Sequence, residues 1–64
     1  MNTIKTNIER SNGSDGYQAG TWRARVTATL EDGSIAESYD GGNESRAMAV
    51  EAGKRLARAA KNWC

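Results

Sequence analysis

The stretch from Glu44 to Trp63, ESRAMAVEAGKRLARAAKNW, is the only long run in this chain with a helical period. On a wheel of 3.6 residues per turn, Ala49, Ala52, Gly53, Leu56, Ala59, Ala60 and Trp63 form one stripe with Met48 at its edge. Glu51, Lys54, Arg55, Arg58, Lys61 and Asn62 face the other way. The apolar stripe is mostly alanine and glycine. Side chains that small bury little area alone, so the helix must lie very close to a flat partner such as a sheet. The rest of the chain has to supply that partner.

Three segments are suited to it. Thr3 to Arg10 alternates Ile4, Thr6 and Ile8 with Lys5, Asn7 and Glu9. Thr21 to Leu30 alternates strictly: Trp22, Ala24, Val26, Ala28 and Leu30 form one face, and Thr21, Arg23, Arg25, Thr27 and Thr29 the other. Ser34 to Tyr39 is the third strand. Between the first two, Ser11 to Gly20 is rich in Gly, Ser and Asn and forms a connecting loop too long for a tight hairpin. Its glycines lead into a strand and lack the Gly-Lys-Ser/Thr ending of a phosphate-binding loop. Glu31-Asp32-Gly33 turns the second strand into the third, by a two-residue Asp-Gly turn or by a three-residue loop with Gly33 left-handed. The two turns give opposite registers. The first puts Ile35, Glu37 and Tyr39 on the core face; the second turns Ala36 inward, displays those three beside Arg23 and Arg25, and avoids burying Glu37. Asp40-Gly41-Gly42 is read as the turn into the helix, with Asn43 as N-cap and Glu44 in the first turn.

The expected fold is therefore α+β, a single domain over residues 1–64. It is a three-stranded antiparallel meander with one C-terminal helix packed on one face, in the order β-β-β-α, with Trp22, Val26, Leu30, Ala52, Leu56 and Trp63 in one core. Large apolar residues are few, and a helix on one side leaves the other face of the sheet open. Either a marginal monomer or a homodimer fits that balance. The one cysteine, Cys64, allows no internal disulfide. With no apolar run long enough for a membrane span and no charged-then-apolar leader, a cytoplasmic setting is expected.

The net charge of +1 conceals an asymmetry: residues 1–43 carry four bases and six acids, and residues 44–64 five bases and two acids. The chain lacks the overall basic excess of a strong polyphosphate binder. It has no histidine and no carboxylates spaced as an acid and base pair, so an enzyme, a cofactor or a metal is not expected. What remains is contact chemistry. Candidate partner-binding residues are Arg23 and Arg25 on the open face, with the acids Glu31, Asp32, Glu37 and Asp40. An alternative nucleic-acid surface combines Arg23 and Arg25 with the basic helix face of Lys54, Arg55, Arg58 and Lys61. The plain alternative for these charges is a solvated surface, with Arg23 and Arg25 paired across strands to Glu37 or Glu9 and Glu51 paired to Arg55.

From Gly20 to about Lys61 the order of elements resembles the second half of double-stranded-RNA-binding domains, in which three strands precede an Ala-rich helix. The opening helix and the lysine cluster of those domains have no counterpart here. The string Gly20-x-Trp22-Arg23-Ala24-Arg25-Val26 resembles the arm-type DNA-binding domains of tyrosine integrases, and HicB-like antitoxin modules share a similar order of elements. In size, mixed charge and lack of histidine the chain also resembles small phage or mobile-element inhibitors, anti-CRISPR proteins among them. That resemblance implies stoichiometric binding to a host protein or nucleoprotein complex.

Overall fold

The computed structural model of the chain describes residues 2–14 and 16–64. Three strands, β1 (Thr3–Arg10), β2 (Trp22–Thr29) and β3 (Ile35–Asn43), form one antiparallel sheet in the order β1-β2-β3. The helix α1 (Arg46–Ala60) follows and packs on one face. This is the β-β-β-α meander that the two periodicities predict.

The β2–β3 turn adopts the three-residue form. Gly33 takes φ +89°, its N–H donates to Leu30 O (3.0 Å), and Leu30 N–H donates to Ser34 O (2.8 Å). Glycine reaches that φ without steric cost. The register that follows sets Ala36 opposite Ala28 and Ser38 opposite Val26 on the helix side. Ile35, Glu37 and Tyr39 lie on the other side, opposite Thr29, Thr27 and Arg25.

At its far end β3 departs from expectation. Asp40-Gly41-Gly42 does not turn into the helix but continues the strand through a bulge: Ala24 pairs with Asp40 and Trp22 with Asn43, so two glycines oppose Arg23. Gly42 supplies the positive φ, +75°, that this bulge uses. Asn43 is not the N-cap. Its side-chain amide donates to Trp22 O (3.2 Å) and Asp40 O (2.9 Å), locking the bulge, and Ser45 takes the cap by accepting from Met48 N–H (3.2 Å). Glu44 consequently precedes the helix instead of lying in its first turn, which holds no acid.

The helix meets the sheet through its smallest side chains. Ala49, Ala52, Gly53 and Ala60 are buried on α1, against Ala24, Val26 and Ala28 on β2. A Cβ at Gly53 would come within 3.0 Å of Thr6 Cγ2 and 3.5 Å of Ala24 Cβ and Ile8 Cδ1, so the closest crossing is at this residue. Ala59, expected in the stripe, is exposed, as is Met48. The helix is rolled the other way, with Val50 and Ala57 half-buried.

The core cluster comprises Val26, Ala28 and Ala60, with Ile4, Leu30, Leu56 and Trp63 packed around it. Val26 is the largest fully buried side chain among the described residues. Trp22 is not in this cluster. It is half-buried at the bulged end of the sheet, where the Arg10 guanidinium lies 5.8 Å from its ring centroid. At the opposite end, the Asn2 side-chain amide donates to Ala60 O (2.9 Å), which also accepts from Trp63 N–H (3.2 Å), and to Trp63 O (2.8 Å) beyond the helix end. Among the described residues no helix is long and apolar enough to cross a membrane.

The Gly53 contact makes a prediction opposite to helix propensity. Leucine is a better helix former than glycine, by somewhat less than the about 0.8–1 kcal/mol that separates alanine from glycine, but Gly53→Leu should destabilise the domain by about 1–3 kcal/mol through overpacking against Thr6 and Ala24. The change is read as a lower urea midpoint in denaturation. An unchanged or raised midpoint would show that Gly53 is not the point of closest approach.

Candidate interaction face of the sheet

Strand alternation and register together arrange the face away from the helix into four rows across β1, β2 and β3. These are Thr3, Thr29 and Ile35; Lys5, Thr27 and Glu37; Asn7, Arg25 and Tyr39; and Glu9 and Arg23 beside the Gly41-Gly42 bulge. Among the described residues no helix or second sheet covers these rows. Ile35 is 67% exposed and Tyr39 43% exposed.

The two arginines on this face are not equivalent. Arg23 Nη2 donates to Glu9 Oε1 at 3.1 Å, and its guanidinium lies 5.0 Å from the Tyr39 ring centroid. Its side chain is 20% exposed, against 35% for Arg25. Arg25 Nε stands 3.8 Å from the same Glu9 oxygen, beyond hydrogen-bonding distance, and has no hydrogen-bond partner among the described residues. One carboxylate thus serves two cations, and Arg23 holds the better geometry. Of the two acids that could pair with the arginines, Glu9 does so; Glu37 accepts instead from the Tyr39 hydroxyl (3.0 Å).

The β1–β2 loop closes its neck through buried Ser11, whose N–H donates to Thr21 O (2.8 Å) and whose carbonyl accepts from Gly20 N–H (2.9 Å). Asp15, in the middle of that loop, lies outside the described residues. Beyond the neck, the loop sends Tyr17 over Gly41. A Cβ on Gly41 would sit 2.5–2.6 Å from three ring atoms of Tyr17, so the ring rests directly on the glycine backbone.

The candidate residues therefore fall into separate places. Arg23, Arg25 and Glu37 share the open face. Asp40 points to the helix side of the sheet and interacts with the Asn43 amide (3.3 Å). Glu31 and Asp32 sit on the hairpin turn, bordering a hollow of about 390 Å3 that Leu30, Lys61 and Trp63 also line. Among the described residues no three His, Cys, Asp or Glu side chains converge as metal ligands. Lys54, Arg55, Arg58 and Lys61 are exposed on the helix, on the opposite side of the domain from Arg23 and Arg25. There Glu51 reaches Lys54 (3.4 Å), an i,i+3 pair where the sequence suggests an i,i+4 pair with Arg55.

Two features of this face go beyond the candidate binding residues, the first of them, Glu9, expected only as one of two alternative counter-ions. Glu9 becomes the shared counter-ion because register places it opposite Arg23. Tyr17 becomes part of the face only because Gly41 has no side chain to keep it off; the paired glycines 41–42 are the one sequence signal of a close approach there. No protein-family model, curated protein or solved structure matches the chain.

Two outcomes follow from these contacts. Gly41→Val should displace the Tyr17 ring, seen as loss of its ring-to-Gly41 cross-peaks by NMR; cross-peaks retained around position 41 would contradict the stacking. At the turn, the Ser34 hydroxyl (2.6 Å) and then the Ser34 N–H (2.9 Å) donate to Asp32 Oδ1 and hold its carboxyl below the ordinary aspartate value. The stability contributed by a depressed carboxyl is present above its unfolded value and is lost as pH falls through the folded one. A carboxyl-carbon titration should place Asp32 below the Asp32 of a Ser34→Ala variant, and coincident titrations would remove the hydroxyl hydrogen bond as the leading cause.

Proposed function

We propose that the protein is a non-enzymatic binding module of the inhibitor type, which engages a host protein or nucleoprotein complex through the face of the sheet opposite to the helix. The observation that carries this reading is the composition of that face. Exposed Tyr39 adjoins Arg23 and Arg25, and exposed Ile35 lies two rows further along the same strand on the same face. Tyr and Arg are the residue types that most often anchor protein interfaces, because they combine a large contact area with hydrogen bonding. The mixed charge and the absence of histidine support a contact role over catalysis.

A second reading, direct DNA or RNA binding, draws on the exposed cations Lys54, Arg55, Arg58 and Lys61. They stand on one side of a domain whose thinnest Cα extent is 12 Å, and the arginines of the sheet stand on the other. One duplex cannot lie against both surfaces at once. On the sheet side, Glu9 and Glu37 would also face the phosphates.

Tyr39→Ala should change stability by no more than about 1 kcal/mol, as for other half-exposed side chains, yet reduce capture of a discrete partner from host lysate by about 30-fold. Capture that survives Tyr39→Ala would remove the sheet face as the binding surface. A gel shift measured at low and physiological salt tests the second reading. Binding that weakens by orders of magnitude with salt would favour it, and no shift even at low salt would discard it.

A further inference from the structure

We propose that the partner segment seated on the open face is acidic and extended, and that it sets a carboxylate on Arg25 and an apolar side chain on Ile35. This rests on the binding-module reading and names the chemistry of its partner. Charge complementarity singles out Arg25. The face carries Lys5, Arg23 and Arg25 against Glu9 and Glu37. Glu9 is engaged at 3.1 Å by Arg23, and Glu37 accepts from Tyr39. Arg25 therefore lies on the central strand with Glu9 Oε1 at 3.8 Å from its Nε. That Nε is buried, but the side chain is 35% exposed, and the remainder of its guanidinium offers a planar fork suited to an incoming carboxylate.

The rest of the face restricts what carries that carboxylate. Ile35 lies two rows from Arg25, roughly 13 Å along the strands at about 3.3 Å per residue. An extended chain that presents an acid at one position and an apolar side chain four residues on spans that distance. A nucleic-acid strand would instead bring a succession of phosphates against Glu9 and Glu37. Size points to the same economy. The broadest dimensions of the domain, 36 by 21 Å, approximate the ~800 Å2 per partner of a standard interface only if the whole face is used.

The test uses the full chain and fluorescence anisotropy of a labelled peptide, Glu-Ser-Glu-Ser-Leu-Ser-Leu, with controls in which lysine replaces glutamate and with labelled oligothymidylate. The acidic peptide should bind saturably. Arg25→Gln should weaken it by at least about tenfold, and Glu9→Gln, which withdraws the internal competitor, should tighten it; circular dichroism verifies that both variants stay folded. Absence of binding to the acidic peptide, or binding that Arg25→Gln leaves unchanged, overturns the proposal. Preference for the lysine peptide with loss in Tyr39→Ala overturns the acidic chemistry alone and leaves the binding-module reading standing. Preference for oligothymidylate on the same face overturns both.

Discussion

The close seating of an alanine and glycine helix surface on the sheet is the contact on which the rest of the structure depends. With Val26 the largest fully buried side chain among the described residues, the centre of the core holds no bulky residue. Its stability comes from proximity. Ala49, Ala52, Gly53 and Ala60 allow the helix backbone to approach until Thr6, Ile8 and Ala24 touch Gly53, and Ile4, Leu30, Leu56 and Trp63 close the margins of that seam. At this separation an atom added to the seam pushes the layers apart, and an atom removed from it leaves a gap that forfeits dispersion contacts. The Asn2 amide, bonded to Ala60 and Trp63 carbonyls, ties the helix end to the start of β1 and keeps the seam closed at its far end.

A single helix can satisfy only one side of a sheet, and the composition of the other side follows from that. Thr3, Lys5, Asn7 and Glu9 on β1, Arg23, Arg25, Thr27 and Thr29 on β2, and Ile35, Glu37 and Tyr39 on β3 form a surface that water can wet. Its order comes from two cross-strand contacts, the Glu9–Arg23 ion pair and the Arg23–Tyr39 stacking, and from the Glu37–Tyr39 hydrogen bond within β3. Partly exposed interactions of this kind are worth about 0.2–1 kcal/mol each in stability. Their larger effect is to hold side chains in fixed positions, which lowers the entropy lost when a partner docks. The Gly41-Gly42 bulge adds to this by letting Tyr17 fold down from the loop onto the same face.

Sequence alone determined the order of elements, the side of β1 and of β2 that meets the helix, and the close seating of an alanine and glycine stripe, because all three follow from periods of 2 and 3.6 that each segment carries within itself. It also favoured the β2–β3 register, since the alternative would have buried Glu37. Tertiary structure decided what depends on one segment finding another. β3 continues through Gly41-Gly42 because β2 offers a pairing edge as far as Trp22; Asn43 is then engaged in that pairing, and the cap passes to Ser45. Trp22 sits outside the main cluster because the bulge ends the regular sheet beside it. Glu9 becomes the counter-ion of Arg23 and leaves Arg25 with a longer contact through a register that no local pattern encodes, since Glu9 and Arg23 are brought face to face only after a loop of unspecified path has closed.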